Sequence, residues 1–438
     1  MDSAANQKLV KLEAFLKDYP HITYATPSSP NYASLREIFS LDCNANPLII
    51  VRPQTAEDVA LLVQYAKSQG IKFVVEPGKK SAKVGGGTLQ GALAAQLFQE
   101  GLATPTGTVP SVGYVGWAAY GGYGPLSARF GLGADQIMGV KLVNPLGNIV
   151  EADDRLLRGI RGAGGIFGII VEVVVKVYPL TKVLAGVLIF ESQNITAAFK
   201  KLNERYRELS AQGLPSELGV QQMVVNSPHG RALALTFMWS SADIETGRAW
   251  LSKCETFGTV VMNTIAVTTL PEFLRVYQEM VPSNVYGFSR THNLREMTEE
   301  VTTAITPCLE IMPSDPGTMF AVHELRGPSA SPTKESVFGT REHHFMVEIL
   351  GTSVKIELRE AGLKWANSIW EAVDKTSRYN ILPGTYISLD PPGESPGQIP
   401  LFKIYGSHES DVLALKKEYD GDNVFDMAIP RLVDYLHG

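Results

Sequence analysis

The sequence predicts a two-domain α+β fold, and three observations carry that reading. At 438 residues the chain is longer than one ordinary core holds together. Its first 180 residues set short apolar strands and helices around glycine-rich segments, whereas residues 181–401 alternate strands with amphipathic helices. That second pattern suits a mainly antiparallel sheet covered on one face by helices. The change comes at Pro179, which ends a long β-branched strand.

The elements follow in chain order. An amphipathic first helix places Leu9, Leu12 and Leu16 on one side. Residues 48–52, LIIVR, read as a strand, and the next helix is announced by Thr55 with Asp58 three later, by Val59, Leu62, Val63 and Ala66 at helical spacing, and by Gly70 at its stop. A strand at 71–75 completes a β-α-β unit, which points to parallel pairing. After EPGKKSAKVGGG a helix starts at Thr88, with Leu89, Leu93 and Leu97 inward and Gly101 closing it. Strands at 139–143 and 148–151 meet through an Asn144-Pro145-Leu146-Gly147 turn. A glycine bend, RGIRGAGG, then leads into a strand whose Ile169, Val171, Val173, Val175 and Val177 share a face. Beyond it, strands are expected at 186–190, 232–238, 260–267, 319–325, 345–350 and 386–389, and helices at 196–209, 243–256 and 353–374.

Composition excludes several classes. A net charge of -6 without a basic run argues against a nucleic-acid partner. The N-terminal helix lacks the apolar core of a signal peptide, and no segment has membrane-spanning character, so a cytoplasmic protein without a membrane partner is expected. With that location the Asn194-Ile195-Thr196 sequon carries no meaning. Three distant cysteines, Cys43, Cys254 and Cys308, make neither a disulfide framework nor a metal site.

The most informative stretch is PTGTVPSVGYVGWAAYGGYGP, residues 105–125. It has six glycines and no charged residue. Glycine runs suit anions because backbone N–H groups can approach closely there. Two familiar phosphate motifs fail elsewhere in the chain. Gly78-Lys79-Lys80-Ser81 lacks the P-loop's first glycine, since Phe73 stands in its place, and has Lys80 where a Ser or Thr belongs. GAGGIFG, residues 162–168, spaces its third glycine wrongly and enters a strand instead of leaving one.

The order of segments is more telling. The β-α-β unit, VGGGTL, the 105–125 run, GLGADQIMGVKLVNPLGNIVEAD, LLRGIRGAGGIFGIIVEVVVKVYP and the tail LKKEYDGDNVFDM together resemble the vanillyl-alcohol oxidase and p-cresol methylhydroxylase (PCMH) group of flavoenzymes, in its berberine-bridge-enzyme-like branch. The resemblance implies a PCMH-type FAD-binding domain over 1–180, a substrate domain over 181–401 and a 402–438 return to the first domain. It further implies that Thr106, Gly107, Thr108, Ser111, Val112 and Gly113 wrap the FAD pyrophosphate with backbone amides. Gly121, Gly122 and Gly124 would pass close to the flavin, Gly168 and Ile170 would lie along the cofactor, and Asn423 would belong to the tail signature. On this reading the run offers backbone because the cofactor supplies the chemistry.

Two departures from the family bear on the cofactor. Val109 stands where many relatives carry a flavin-tethering cysteine, so FAD binding is expected to be non-covalent. After Val75, the family's first phosphate loop, with its anchoring histidine, is absent along with several dozen residues. The chain is then either a shortened variant or one that has lost sequence at this join. Oxidation over a flavin usually needs a base for the substrate proton. Tyr386, His323 and Glu348 are the strand candidates, with Ser388 replacing the Asn of the family's Tyr-x-Asn pair; only one of His323 and Glu324 can face the site. Arg290 and His292 are expected in a loop. The function expected is FAD-dependent oxidation of a small apolar, secondary-metabolite-like substrate with molecular oxygen as acceptor. The alternative is a flavin-free or inactive scaffold, a cyclase among them, that keeps the fold without redox chemistry.

Overall fold

The computed structural model describes residues 3–42, 45–69, 84–227, 230–389 and 399–432. The 71–75 strand, the join after Val75 and Cys43 lie outside the described residues. The fold is α+β. Local signals act as the sequence implies: helix Ala56–Ser68 opens on a capping box in which the Asp58 amide donates to Thr55 Oγ1 at 3.1 Å and the Thr55 amide to Asp58 Oδ2 at 3.0 Å. Strand Ile50–Arg52 pairs antiparallel with Thr23–Ala25, and the parallel neighbour expected at 71–75 lies outside the described residues. Residues 20–25 close back on it after the first helix.

Among the described residues, the first 180 contain a four-stranded antiparallel sheet in the order Val84–Gly85, Ile169–Val175, Ile137–Val143, Ile149–Glu151. Helix Gln90–Gln99 and the short helix Tyr114–Ala119 flank the glycine run. A helix at Asp154–Ala163 was missed in the sequence because its glycines read as a bend; Asp153 caps it through the Leu156 amide at 2.9 Å.

The second sheet has nine strands, antiparallel throughout its pairings. Helices Ile195–Ser210, Ile244–Glu255, Glu299–Glu310 and Arg359–Asp374 cover one face and bury Phe237, Phe320, Val347 and Ile349. The other face turns to the glycine run. Strands Leu218–Ser227 and Ser289–Leu294 escaped the sequence reading, so Arg290 and His292 sit in a strand and not in a loop. Residues 386–389 form a turn, not a strand, with the Leu389 amide on the Tyr386 carbonyl at 3.0 Å.

The tail packs on the glycine-rich half through a buried ion pair. Lys416 Nζ donates to Asp420 Oδ2 at 2.6 Å and to the Ile166 carbonyl at 2.7 Å, with the two side chains 1% and 0% exposed. Asp420 also accepts the Val424 and Phe425 amides at 2.8 and 3.1 Å, which folds the chain into the turn where Asn423 adopts φ +50°. Burial lowers the Lys416 pKa, and the Asp420 carboxylate works against that shift. Removing one member leaves the other charge buried and unpaired. Asp420→Ala is expected to cost about 3–5 kcal/mol in urea unfolding. Arg275→Ala, which breaks an exposed pair on helix Leu270–Gln278, should cost at most about 1 kcal/mol.

Candidate active site

Strand alternation decides which side chains reach the glycine run. Residues of odd number in Thr318–Leu325 and of even number in His344–Gly351 face it, because Phe320, Val322, Phe345 and Val347 fill the helix-side core. His323 and Glu348 therefore share a face, and Glu324 points the other way, where Tyr206 Oη donates to it and His343 Nε2 lies 2.8 Å from it. Antiparallel register sets two rows across this face. Thr236, Gln221, His323, Met346 and Asn293 form one; Ala234, Met223, Ala321, Glu348 and Thr291 form the next.

His323 Nε2 lies 2.8 Å from Glu348 Oε2 and 3.1 Å from the Gln221 side-chain amide. One nitrogen cannot donate to the carboxylate and accept from the amide at once. A carboxylate can only accept, so the Glu348 contact requires Nε2–H, the Gln221 side chain then packs beside that edge without a hydrogen bond to it, and Nδ1, left unprotonated, has no partner among the described residues. Tyr386 joins the same group. Its amide is 3.4 Å from Thr291 Oγ1, and Thr291 stands opposite Glu348. Burial raises the Tyr386 pKa, with Glu348 adding to the shift, while Ser388 and the Gly122 and Tyr123 amides oppose it. Its phenol is thus a neutral donor at ordinary pH, and not a base. Of the three candidate catalytic residues His323 and Glu348 meet directly, and Tyr386 is tied to the row of Glu348 through its backbone amide on Thr291. Arg290 and His292 do not join them: both face the helices, His292 stacking on Trp370 at 4.8 Å with Nε2 on its carbonyl at 3.1 Å.

The glycine run forms the opposite wall. Thr106 is fully buried, and a Cβ on Gly124 would stand 1.9 Å from its carbonyl oxygen. A Cβ on Gly121 would meet the Phe338 ring at 2.4 Å; at Gly122 it would meet Gly133 and Trp117, and at Gly168 Leu142 and the Val143 carbonyl. These four glycines are required by protein packing. Gly113, in contrast, opens on free space, and the amides of Thr108, Ser111 and Gly113 meet no backbone acceptor among the described residues. The Gly107 amide is taken by Gln90 Oε1, Ser111 and Val112 are exposed, and Ile170 is half-buried opposite Leu142.

Four buried hydroxyls around this loop, on Thr88, Thr104, Thr106 and Tyr114, make no standard hydrogen bond, although Thr104 lies close enough to Tyr114 to temper the burial that raises its pKa. Each unpaired buried hydroxyl costs about 1–3 kcal/mol. Free amides and unpaired hydroxyls along one glycine loop fit a polyphosphate-bearing cofactor such as FAD. Thr108, Tyr123, Gly124, Ser127, Gln221, Thr236 and His323 line a cleft of about 50 Å³ between the two walls.

Several residues of this site were not legible in the sequence. Gln221 hides in an apolar strand. Tyr123 packs on Tyr386 with ring centroids 4.6 Å apart and donates to His344 Nε2 at 3.3 Å; His344 Nδ1–H donates to the Glu342 carbonyl at 2.7 Å. Arg341 grips Asp135 with two bonds of 2.7 and 2.8 Å, tying the sheet's return loop to the segment after the run. Burial lowers the His344 pKa to about 4 from an ordinary 6.5. Because the unfolded chain takes up this proton at a higher pH than the folded one, stability is lost as pH falls from about 6.5 toward 4, by up to about 3 kcal/mol. Urea midpoints at about pH 7 and about pH 4.5 should differ less in His344→Gln than in the parent; equal slopes would contradict the assignment.

Comparisons with known proteins point to the same cofactor. The FAD binding domain family matches residues 74–153. The FAD-linked oxidoreductase aurO of Gibberella zeae is 29% identical over 96% of this chain and 87% of its own length. (R)-6-hydroxynicotine oxidase of Paenarthrobacter nicotinovorans is 31% identical over 36% of this chain and 42% of its own. Among solved structures, 6-hydroxy-D-nicotine oxidase from Arthrobacter nicotinovorans superposes with a TM-score of 0.78 at 21% identity, covering 92% of this chain and 96% of the other. GilR, described in complex with pregilvocarcin, superposes with a TM-score of 0.79 at 18% identity over 92% and 98%. The chain is an FAD-dependent oxidoreductase, similar along nearly its whole length to FAD-linked oxidoreductases, and it has the fold of the berberine-bridge-like branch of the vanillyl-alcohol oxidase and PCMH group.

Proposed function

We propose that this FAD-dependent oxidoreductase oxidises an alcohol or similar carbon of a small, largely apolar substrate of the secondary-metabolite kind, with molecular oxygen as final acceptor. The observation that carries the reading is the His323–Glu348 pair on the sheet face turned to the glycine run, with its free imidazole nitrogen beside the cleft. His323 takes the hydroxyl proton at Nδ1, and Glu348 orients the ring and stabilises the imidazolium that results. Tyr386, held neutral by burial, donates a hydrogen bond to substrate oxygen.

FAD, when bound, supplies the hydride acceptor. Thr108, Ser111 and Gly113 hold its diphosphate through their amides, Thr106 lies beneath them, and Asn423 shapes the tail turn that packs near the loop. Val109 offers no nucleophile, so the cofactor is held without a covalent bond. The aurO alignment runs over 453 positions, whereas 96% of this chain is about 420 residues. The relative thus carries at least about thirty residues with no counterpart here, a difference of the size that a missing phosphate loop would make. A second reading, a scaffold without redox chemistry, is favoured by one observation: Phe338, Trp117 and the Thr106 carbonyl cover the close faces of Gly121, Gly122 and Gly124.

Anaerobic mixing with 3-hydroxybenzyl alcohol should bleach the flavin, and His323→Gln or Glu348→Gln should slow that step about 10²–10⁴-fold. Tyr386→Phe should slow it less, by the worth of one hydrogen bond, about tenfold. Bleaching at the parent rate in the His323 and Glu348 variants would remove the pair from the mechanism.

A further inference from the structure

The row that holds His323 continues away from Glu348 to Gln221 and then to Thr236, and all three side chains line the cleft with Thr108 opposite. Thr236 is 3% exposed, and its hydroxyl finds among the described residues only the Met223 thioether, at 3.9 Å. Tyr277, also buried, donates to the same sulfur at 3.4 Å and neighbours the Thr108 hydroxyl. A thioether is a weak acceptor, so hydroxyls that converge on it are left under-satisfied. Nothing in the packing demands them: valine would fill the Thr236 position equally well beside Ala234 and Met238. The cleft leaves about 50 Å³ beside these side chains, room for at least a hydroxyl or hydroxymethyl group.

Resting on the oxidase reading above, we propose that Thr236, with Thr108 across the cleft and Tyr277 behind it, is an oxygen-recognition subsite, so that the substrate carries a second hydroxyl or carbonyl oxygen remote from the carbon oxidised beside His323. Thr236 donates to or accepts from that oxygen, and Met223 and Tyr277 keep its hydroxyl turned into the cleft. The otherwise apolar substrate is thereby read at two polar points, the dyad at one end and the threonine pair at the other. An analogue with a methyl group in place of the second oxygen would leave the Thr236 hydroxyl buried with only the thioether.

The test is calorimetric titration of the purified protein with 3-hydroxybenzyl alcohol and with 3-methylbenzyl alcohol, which exchanges the ring hydroxyl for a methyl group of similar size. The hydroxylated probe should bind about five- to tenfold more tightly. Thr236→Val should bring that ratio close to one, and Thr236→Ser, which keeps the hydroxyl, should retain it. Equal binding of the two probes, no binding of either, or an unchanged ratio in Thr236→Val would each overturn the subsite. A preserved ratio without flavin bleaching by either probe would instead count against the oxidase reading and leave the subsite standing.

Discussion

The site depends on close approach between backbones. Gly124 lies against the Thr106 carbonyl with no room for a Cβ, and one residue further on the Pro125 carbonyl lies where a Cβ of Gly219, in the large sheet, would be. The first contact folds the run back on itself, and the second brings it to the sheet at main-chain distance. A methyl group on Gly219 would push the two walls apart, and the cleft that Thr108, Gln221 and His323 share would lose its second wall. The glycines of the run are therefore structural first. They press a segment without charge onto a sheet face that carries the polar side chains.

The sheet's two faces divide stability from chemistry. Its helix side buries an unbroken apolar core, including Phe199, Phe237, Phe320 and Val347. Its other side can then hold polar rows, because the helix-side packing already stabilises the strands. On that side Gln221, His323, Glu348 and Thr291 lie on four neighbouring strands, an arrangement that exists only after long-range pairing. Arg341–Asp135 fastens the two halves together, while the tail's Lys416, paired with Asp420, ties the end of the chain to the glycine-rich half through the Ile166 carbonyl.

Much of the fold was legible in local signals. Thr55 with Asp58 announced a helix that the capping box builds, and the odd-numbered valines before Pro179 announced a strand. Glu348 and His323 stood out as chemistry-bearing residues in apolar strands. What was not legible arises from distance. Leu218–Ser227 interrupts its alternation with Gln221 and Gln222, each serving a different face, and Ser289–Leu294 is polar on both faces because Trp370 covers one and the site lies on the other. Register could not be read either, so neither the His323–Glu348 contact nor the placing of Gln221 beside it was available before the pairing was known.

Whether the glycine loop holds its cofactor is the claim on which the rest stands. The most direct measurement is the near-ultraviolet and visible absorbance of the purified protein after addition of FAD and removal of excess, repeated on the supernatant after acid precipitation. Flavin bands that stay with the protein and then pass wholly to the supernatant are the predicted result. A protein that remains colourless, or flavin that stays in the pellet, would contradict the account.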